Sequence, residues 1–588
     1  MKTLTTICLT ATLLGATLII AQDFSEDGRP TKWTPRLGPG FERHFDRVGK
    51  HTHSHSVQRP SYSGGVDTAW VRHYASGLIP GDDGATAMAV DGSGNVYVTG
   101  YSLGLGIGYD YATVKYNFAG AEQWVARYNG PENSDDKATA LAVDASGNVY
   151  VTGYSWGSGT RYNYATVKYN FIGVEQWVVH YNGPGNDDDG ASALAVDGSG
   201  NVYVTGESEG SGSEYDYATV KYNFAGVEQW VTRYNGPGND WDLATALAVD
   251  GSGNVYVTGR SLGLDIGPDY ATVKYNSAGV EQWVTRYNGP ESLWGGATAL
   301  TVDSSGNVYV TGGNIGLGTG YDYATLKYNS AGAEQWLARY NGPGNVWDIA
   351  TALTVDSSGN VYVTGYSWGS GTGYDYATVK YNSAGIQQWV ACYNGPENSG
   401  DYATDLALDA SGNVYVTGIS VGSGTDYDYA TVKYNSAGAE QWVARYNGPG
   451  NSDDEAIALA VDGSGNVYVT GSSYGIGWSV YTTIKYLQTS VSVEQKEQDR
   501  PNSYQLSQNY PNPFNLTTTI HYAIARPGQV TLKIFNPLGQ EVATLVNEVK
   551  PAGEYELHWN PGGLPSGVYM YQLQAGEFIE TKKLILLK

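Results

Sequence analysis

The chain has only two cysteines, Cys8 and Cys392, and the first lies in an apolar N-terminal stretch. That stretch, "MKTLTTICLTATLLGATLIIAQ", places one lysine before an apolar run and a small residue, Ala21, before Gln22. This is the pattern of a secretory signal peptide over 1–21. Its removal leaves Cys392 alone, which excludes an intramolecular disulfide, so an exported chain must be held by packing. Basic residues are also scarce: 33 Lys and Arg against 58 Asp and Glu give a formal net charge of -25. That balance argues against nucleic acid or an anionic lipid surface as a partner, since both demand a basic face. Past the N-terminal stretch no segment approaches the roughly 20 apolar residues of a membrane-spanning helix, and a soluble mature protein is expected. Helix formers are sparse as well, with three Met, whereas 79 Gly and 50 Tyr favour strands and tight turns.

What is present is repetition. "DGSGNVYVTGYS" begins at Asp91, and versions of it begin at Asp144, Asp197, Asp250, Asp303, Asp356, Asp409 and Asp462, always 53 residues apart. Such self-similarity signals one structural unit copied along the chain. In the first complete unit four strand-like runs are separated by turn residues: "ATAMAVD" (85–91), "NVYVTG" (95–100), "YATVKYN" (111–117) and "EQWVARY" (122–128). Four antiparallel strands per unit make a propeller blade. The first run is mostly alanine, as suits strands crowding around an axis, and the fourth carries Trp and Tyr where a wedge-shaped blade widens. We letter the strands A to D from the axis outward.

The count of strands predicts how the ring closes. The last C strand, "YTTIKY" (481–486), has no D strand after it, whereas "TAWVRHY" (68–74) is a D strand that precedes the first A strand. Pairing these two completes the last blade and removes open sheet edges. The expected protein is all-β, an eight-bladed β-propeller over 67–486, after a disordered N-terminal linker at 22–66. A polar linker at 487–503 then leads to alternating apolar and polar runs over 504–588, read as a small Ig-like β-sandwich.

The phrases "AVDGSGNVYVTG" and "DYATVKYN" resemble the bacterial beta-propeller repeat of secreted and surface proteins, the SBBP type, a resemblance covering about 67–486. It implies the fold and no shared activity. At the other end "YPNPFN" (510–515), "LGQEV" (538–542), "LPSGVYMYQL" (564–573) and "KKLILLK" (582–588) resemble the C-terminal sorting domain of cargo of the type IX secretion system. The motif positions are Pro511, Asn512, Pro513, Phe514, Gly539, Gly567, Lys582 and Lys583. The resemblance implies a Gram-negative bacterium and outer-membrane secretion machinery as partner. It also implies delivery to the cell surface or the medium by a module that does no chemistry.

Comparison among the repeats separates two faces. The A–B and C–D turns hardly change, but the D–A loops ("GPENSDDK", "GPGNDWDL", "GPESLWGG") and B–C loops ("YSWGSGTR", "ESEGSGSE") differ from copy to copy. Variable loops on a rigid ring are where ligands usually bind. Eight Trp belong to D strands and are expected in the core, whereas Trp156, Trp241, Trp294, Trp347, Trp368 and Trp478 all fall in variable loops. Two readings stand: these indoles plug the channel and cover neighbouring loops, or they stack on sugar rings.

Asp83, Asp136, Asp189, Asp242, Asp348, Asp401 and Asp454 each stand two positions before an A strand, with Gly295 breaking the ring. They either hold a hard cation such as Ca2+ or cap backbone N–H groups. "NDDDG" (186–190) echoes a calcium loop without its spacing. Catalysis finds little support: His73, His180 and Cys392 occupy the D-strand position that is Arg elsewhere, no Ser-His-Asp set is apparent, and "HTHSH" (51–55) lies in the linker. The reading is a monomeric binding or adhesion module for glycans, with a scaffold or protein-interaction propeller as the alternative and a polysaccharide-cleaving enzyme behind both.

Overall fold

A computed structural model describes residues 7–13, 16–22, 62–63, 66–77, 81–104, 108–264, 267–290, 294–475, 477–488, 503–526, 528–550, 553–576 and 578–587. "HTHSH" and most of both linkers lie outside them. Within the expected signal segment, Ile7–Leu13 pairs antiparallel with Ala16–Gln22.

Eight antiparallel sheets follow one another along the repeats. Blade 1 is Gly84–Val90, Val96–Leu103, Tyr109–Tyr116 and Glu122–Tyr128, strands A to D in order. Blades 2 to 7 begin at Asp136, Asp189, Asp242, Gly295, Asp348 and Asp401. Blade 8 is Asp454–Val461, Val467–Tyr474 and Ser479–Gln488, completed by Val66–Tyr74 in the register Tyr481 to Tyr74 and Lys485 to Trp70. The A strands neighbour one another all the way round, the last beside the first. The ring therefore closes as the strand count requires.

Hydrogen bonds stitch blade to blade. In strand A the register slips by one residue, so that Thr139 bulges out between Ala138 and Ala140. Its hydroxyl lies 3.2 Å from the Thr152 carbonyl and 2.7 Å from that of Ala191 in the next blade. The fully buried Tyr111 donates its hydroxyl to Ala165 O of the next blade (3.2 Å), and Tyr481 does the same to Ala112 O across the closure (3.2 Å).

Two expectations need correction. Only Trp70 and Trp442 among the D-strand tryptophans are buried, and the other six are half-buried. They lie at the outer rim, where each indole reaches across to the following blade. Trp124 Nε1 donates to Phe171 O (3.2 Å), and the ring covers Gly173, where a Cβ would fall 2.6 Å from it. Trp442 is buried because the N-terminal segment extends the sheet: Tyr62–Ser63, placed by the sequence in the linker, adds a fifth strand to blade 7, and Val66 joins the same core.

The chain divides into two compact units, Met1–Gln488 and Thr489–Lys588. In the second, Gln505–Leu506, Thr518–Ile524 and Gly553–Trp559 form one sheet, and Glu541–Lys550, Gly528–Phe535, Gly567–Ala575 and Phe578–Leu586 the other. Alternation along "VTLKIF" buries Val530, Leu532 and Ile534 completely, and a single core joins both sheets.

The sorting motif locks this unit together. Phe514 is buried, donates its N–H to Ile585 O (3.0 Å) and accepts from Leu587 N–H (2.8 Å). Asn512 accepts from Ile585 N–H (2.9 Å) and donates to Lys583 O (3.1 Å), while Pro511 O accepts from Thr518 (2.9 Å). Pro513 joins these anchors. Gly539 turns at φ +77°, Gly567 opens its strand, and Lys582 pairs with Glu580 (3.1 Å).

Candidate functional site

Asp136, which opens strand A of blade 2, pairs with Ser155 near the end of strand B. The D–A and B–C loops therefore share one end of the propeller and the A–B and C–D turns the other. The second end is uniform. In each A–B turn one aspartate organises four donors: Asp91 accepts from the N–H groups of Ser93 and Asn95, from Asn95 Nδ2 and from the Tyr97 hydroxyl. A crevice of about 410 Å³ between blades 5 and 6 at this end is lined by Asp303, Tyr309, Lys327 and Asp356. These residue types recur in the other blades, so it is an interblade groove and not a specific pocket.

At the variable end the seven ring aspartates are all buried. Each turns into its own loop. Asp136 Oδ2 accepts from Gly130 N–H (2.6 Å) with the Ser155 hydroxyl beside it, and Asp189, Asp348 and Asp401 repeat this bond from Gly183, Gly342 and Gly395. Asp242 and Asp454 take it from Gly236 and Gly448, and Asp83 accepts from Ser76 N–H. Burial pushes Asp136, Asp189, Asp242 and Asp401 up to about 6 and Asp454 to about 7. Among the described residues no three His, Cys, Asp or Glu side chains converge as a metal site. The ring geometry is that of caps.

Trp241, Trp294 and Trp347 occupy one register on successive blades, since each carbonyl accepts the same cross-loop bond, from Leu262, Ile315 and Trp368 N–H respectively (3.1 Å each). Elsewhere that register is Asp82, Asp135, Asp188, Gly400 or Asp453, and Asp135 caps Tyr109 N–H in the preceding blade (3.0 Å). Trp241, Trp294, Trp156 and Trp478 are half-buried, whereas Trp347 and Trp368 are 41% and 39% exposed. Trp156 and Trp368 rest edge-on against Tyr162 and Tyr374 (4.9 and 4.8 Å), and Trp347 against Tyr321 (5.9 Å). Leu317 and Val346, in the adjoining loops, are exposed too.

Reasoning from loops missed a second set of variable positions, inside the strands. The residue after the ring aspartate reads Gly84, Lys137, Gly190, Leu243, Gly296, Ile349, Tyr402 and Glu455. Its partner on strand B reads Tyr101, Tyr154, Glu207, Arg260, Gly313, Tyr366, Ile419 and Ser472. The next residue in strand A is alanine in every blade. Two hypervariable columns thus stand on the innermost strands at the variable end. A column-by-column alignment of the eight repeats would have found them.

These side chains stand at the variable end, on the two inner strands of their blades. Glu455 is exposed and Lys137, Glu207 and Arg260 are partly reached by water, yet desolvation acts on all four. It raises Glu207 to about 7, raises Glu455, and lowers Lys137 and Arg260. Lys137 Nζ sits over the rings of Tyr101 and Tyr109 at 4.8 and 4.7 Å.

A closed all-β propeller followed by a sandwich defines the class of protein. Five stretches, 74–106, 123–159, 229–267, 335–371 and 441–477, match the beta-propeller repeat family, and 508–587 match the secretion system C-terminal sorting domain. The chain thus carries SBBP-type repeats in those stretches and a type IX sorting domain at 508–587. That domain marks it for secretion through the outer membrane to the cell surface and implies contact with the type IX machinery.

No curated protein matches the sequence. Among solved structures, PorZ of Porphyromonas gingivalis, described as an essential surface component of its type IX system, matches at 15% identity over 85% of this chain and 74% of its own, TM-score 0.35. An ulvan lyase of polysaccharide lyase family 25 matches at 12% identity over 65% and 93%, TM-score 0.33. Drosophila Plexin A matches at 8% over 59% and 84%, TM-score 0.32.

Proposed function

We propose that the propeller is a surface binding module whose variable end engages glycans, with Trp347 and Trp368 as the principal platform. The observation that carries this reading is their joint exposure: two indoles in one blade, tied by the Trp368 N–H to Trp347 O bond (3.1 Å), keep large apolar faces in water. Exposed aromatic surface on a soluble domain marks an interaction site. An indole offers a flat face of the kind that covers the C–H face of a sugar ring, and its edge stays wet. Trp241 and Trp294 at the same register on blades 4 and 5 extend the platform for a longer chain. The plugging alternative fits Trp156 better, since it is half-buried against Tyr162.

A soluble-glycan array probed with the full chain and with Trp347→Ala/Trp368→Ala tests the reading. The parent binds at least one glycan without forming product, and the variant loses about tenfold or more in affinity while keeping the parent's melting curve. Product formation would make the module an enzyme. A folded variant that binds like the parent would return the indoles to a packing role. For export, deleting residues from Tyr510 onward in a host with this machinery is expected to hold the propeller in the periplasm, and undiminished surface delivery of the truncated chain would refute that.

A further inference from the structure

Arg260 is the cation in these inner columns that has no partner among the described residues. Five conserved-in-repeat arginines of the D strands are committed to carboxylates, as Arg233 is to Asp216 at 2.8 Å, and Lys137 is held over two tyrosine rings. The side chain of Arg260 makes no hydrogen bond or ion pair with any described residue. It emerges from strand B of blade 4 and passes over Gly296, strand A of blade 5, where a Cβ would lie 3.3 Å from its Cβ and 3.7 Å from its Nε. Gly313, the strand partner of Gly296, faces Ile349 and Tyr321 instead, each 3.3 Å from where its Cβ would lie. The guanidinium, partly reached by water, thus meets no hydrogen-bond partner among the described residues. Glu207 of blade 3 lies over its own strand partner Gly190 (Oε1 3.2 Å from the position of a Cβ) and is within electrostatic reach of Arg260 without forming an ion pair.

We propose that the surface around Arg260, where blade 4 meets blade 5, is a second binding site, separate from the tryptophan platform, and that Arg260 grips the carboxylate of a small organic acid there. The guanidinium fork matches a planar carboxylate with two parallel N–H bonds. The net charge of -25 repels such a ligand at long range, but that field is screened within about 8 Å at physiological salt, inside which the local guanidinium decides. Glu207 sets the pH dependence. The groups facing it are Arg260, Asp188 and Asp189, and the tyrosines Tyr154, Tyr164 and Tyr215. Burial raises Asp188 and pushes Asp189 up to about 6. Burial lifts Glu207 to about 7, so lowering the pH through that value removes a negative charge beside the guanidinium and tightens carboxylate binding.

The test is calorimetric titration of the full chain with D-galacturonate, N-acetylalanine and neutral D-galactose, at about pH 6 and about pH 8. Both acids are expected to bind, more tightly at the lower pH, and galactose is not. Tighter galacturonate identifies an acidic sugar as the natural class, tighter N-acetylalanine a simple carboxylic acid. Arg260→Gln weakens either acid by about tenfold or more. Arg260→Lys, which keeps the charge and loses the fork, weakens it less and guards against a folding defect in the first variant. Glu207→Gln loses most of the difference between the two pH values. The proposal is overturned if galactose binds as well as galacturonate, if no acid binds at about 10 mM, or if folded Arg260→Gln or Arg260→Lys binds like the parent.

Discussion

Each blade from the second onward, the fifth excepted, carries an aspartate at both ends of its inner hairpin, and the two behave in opposite ways. At the uniform end Asp144 is half-buried and accepts from Ser146 N–H, Asn148 N–H, Asn148 Nδ2 and the Tyr150 hydroxyl. Desolvation works against its charge, but those bonds outweigh it and hold the carboxyl below the usual carboxylate range. At the variable end Asp136 also ties off a turn, yet it is fully buried, and desolvation wins over its bonds to Gly130 and Ser155. Residue type and task are the same and the access of water differs. Hydrogen bonding sets the sign where water remains at hand, and burial sets it where water is excluded. One end is thus fastened by fixed charges, and the other by carboxyls that hold protons close to neutrality.

Isosteric neutralisation breaks this comparison most directly. Asp144→Asn removes the charge from four charge-assisted bonds and replaces an acceptor oxygen by a donor; a loss of about 1 to 2 kcal/mol is expected. Asp136→Asn keeps an acceptor for Gly130 N–H and discharges a buried carboxylate, so at about pH 8 its cost is expected to be less than half as large. Denaturant midpoints of the two variants decide the matter. Equal losses would mean that burial does not distinguish the ends.

The same contrast predicts a two-sided pH profile. Carboxyls whose folded pKa is raised, such as Asp136 at about 6 and Asp454 at about 7, bind protons more readily folded than unfolded. Stability therefore rises as pH falls from about 7 toward about 4. The eight uniform-end aspartates have lowered folded values, and their contribution, complete above the unfolded pKa, is lost as pH falls below about 4. His73 and His180, whose pKa burial lowers, oppose the first trend and are outnumbered. The melting temperature of the full chain is expected to peak between about pH 4 and about pH 6. A maximum at about pH 8 would contradict the burial argument at the variable end.

The uniform end was the more legible in sequence, for the same reason that it is uniform. Its turns are local, and Asp, Gly and Asn at fixed offsets declare them without reference to another blade. Ring closure was legible too, because an orphan D strand at 68–74 and a missing one after 486 can be counted. The half-burial of Trp124 was hidden, since it depends on how far the next blade's C–D turn reaches under the indole. The fifth strand at Tyr62–Ser63 was hidden because two residues carry no periodicity. The inner columns were overlooked because Lys137, Glu207 and Arg260 stand inside strands, and variability was sought in loops.

The smallest expected effect repairs a mismatch at the variable end. In five blades a D-strand arginine meets a C-strand aspartate: Arg127 with Asp110, Arg233 with Asp216, Arg286 with Asp269, Arg339 with Asp322 and Arg445 with Asp428, at 2.7 to 3.1 Å. Where the arginine is missing, the charge on the other side is missing too in two blades: His180 accompanies Asn163, and His73 accompanies Val480. Blade 6 alone keeps the aspartate without the arginine. There Cys392 fills the position, Asp375 is left with the Thr372 hydroxyl (2.7 Å), and burial raises its carboxyl. In Cys392→Arg the guanidinium would find Asp375 and the Tyr340 hydroxyl, the counterparts of Asp110 and Tyr74 around Arg127. A gain of about 1 kcal/mol is expected, a rise of about 1 to 2 °C in the melting temperature of so large a domain. Asp375→Asn in that background should cancel the gain, and in the parent should cost nothing measurable, so a double-mutant cycle isolates the pair. Additive effects would show that the five existing pairs are products of repetition and contribute little to the ring.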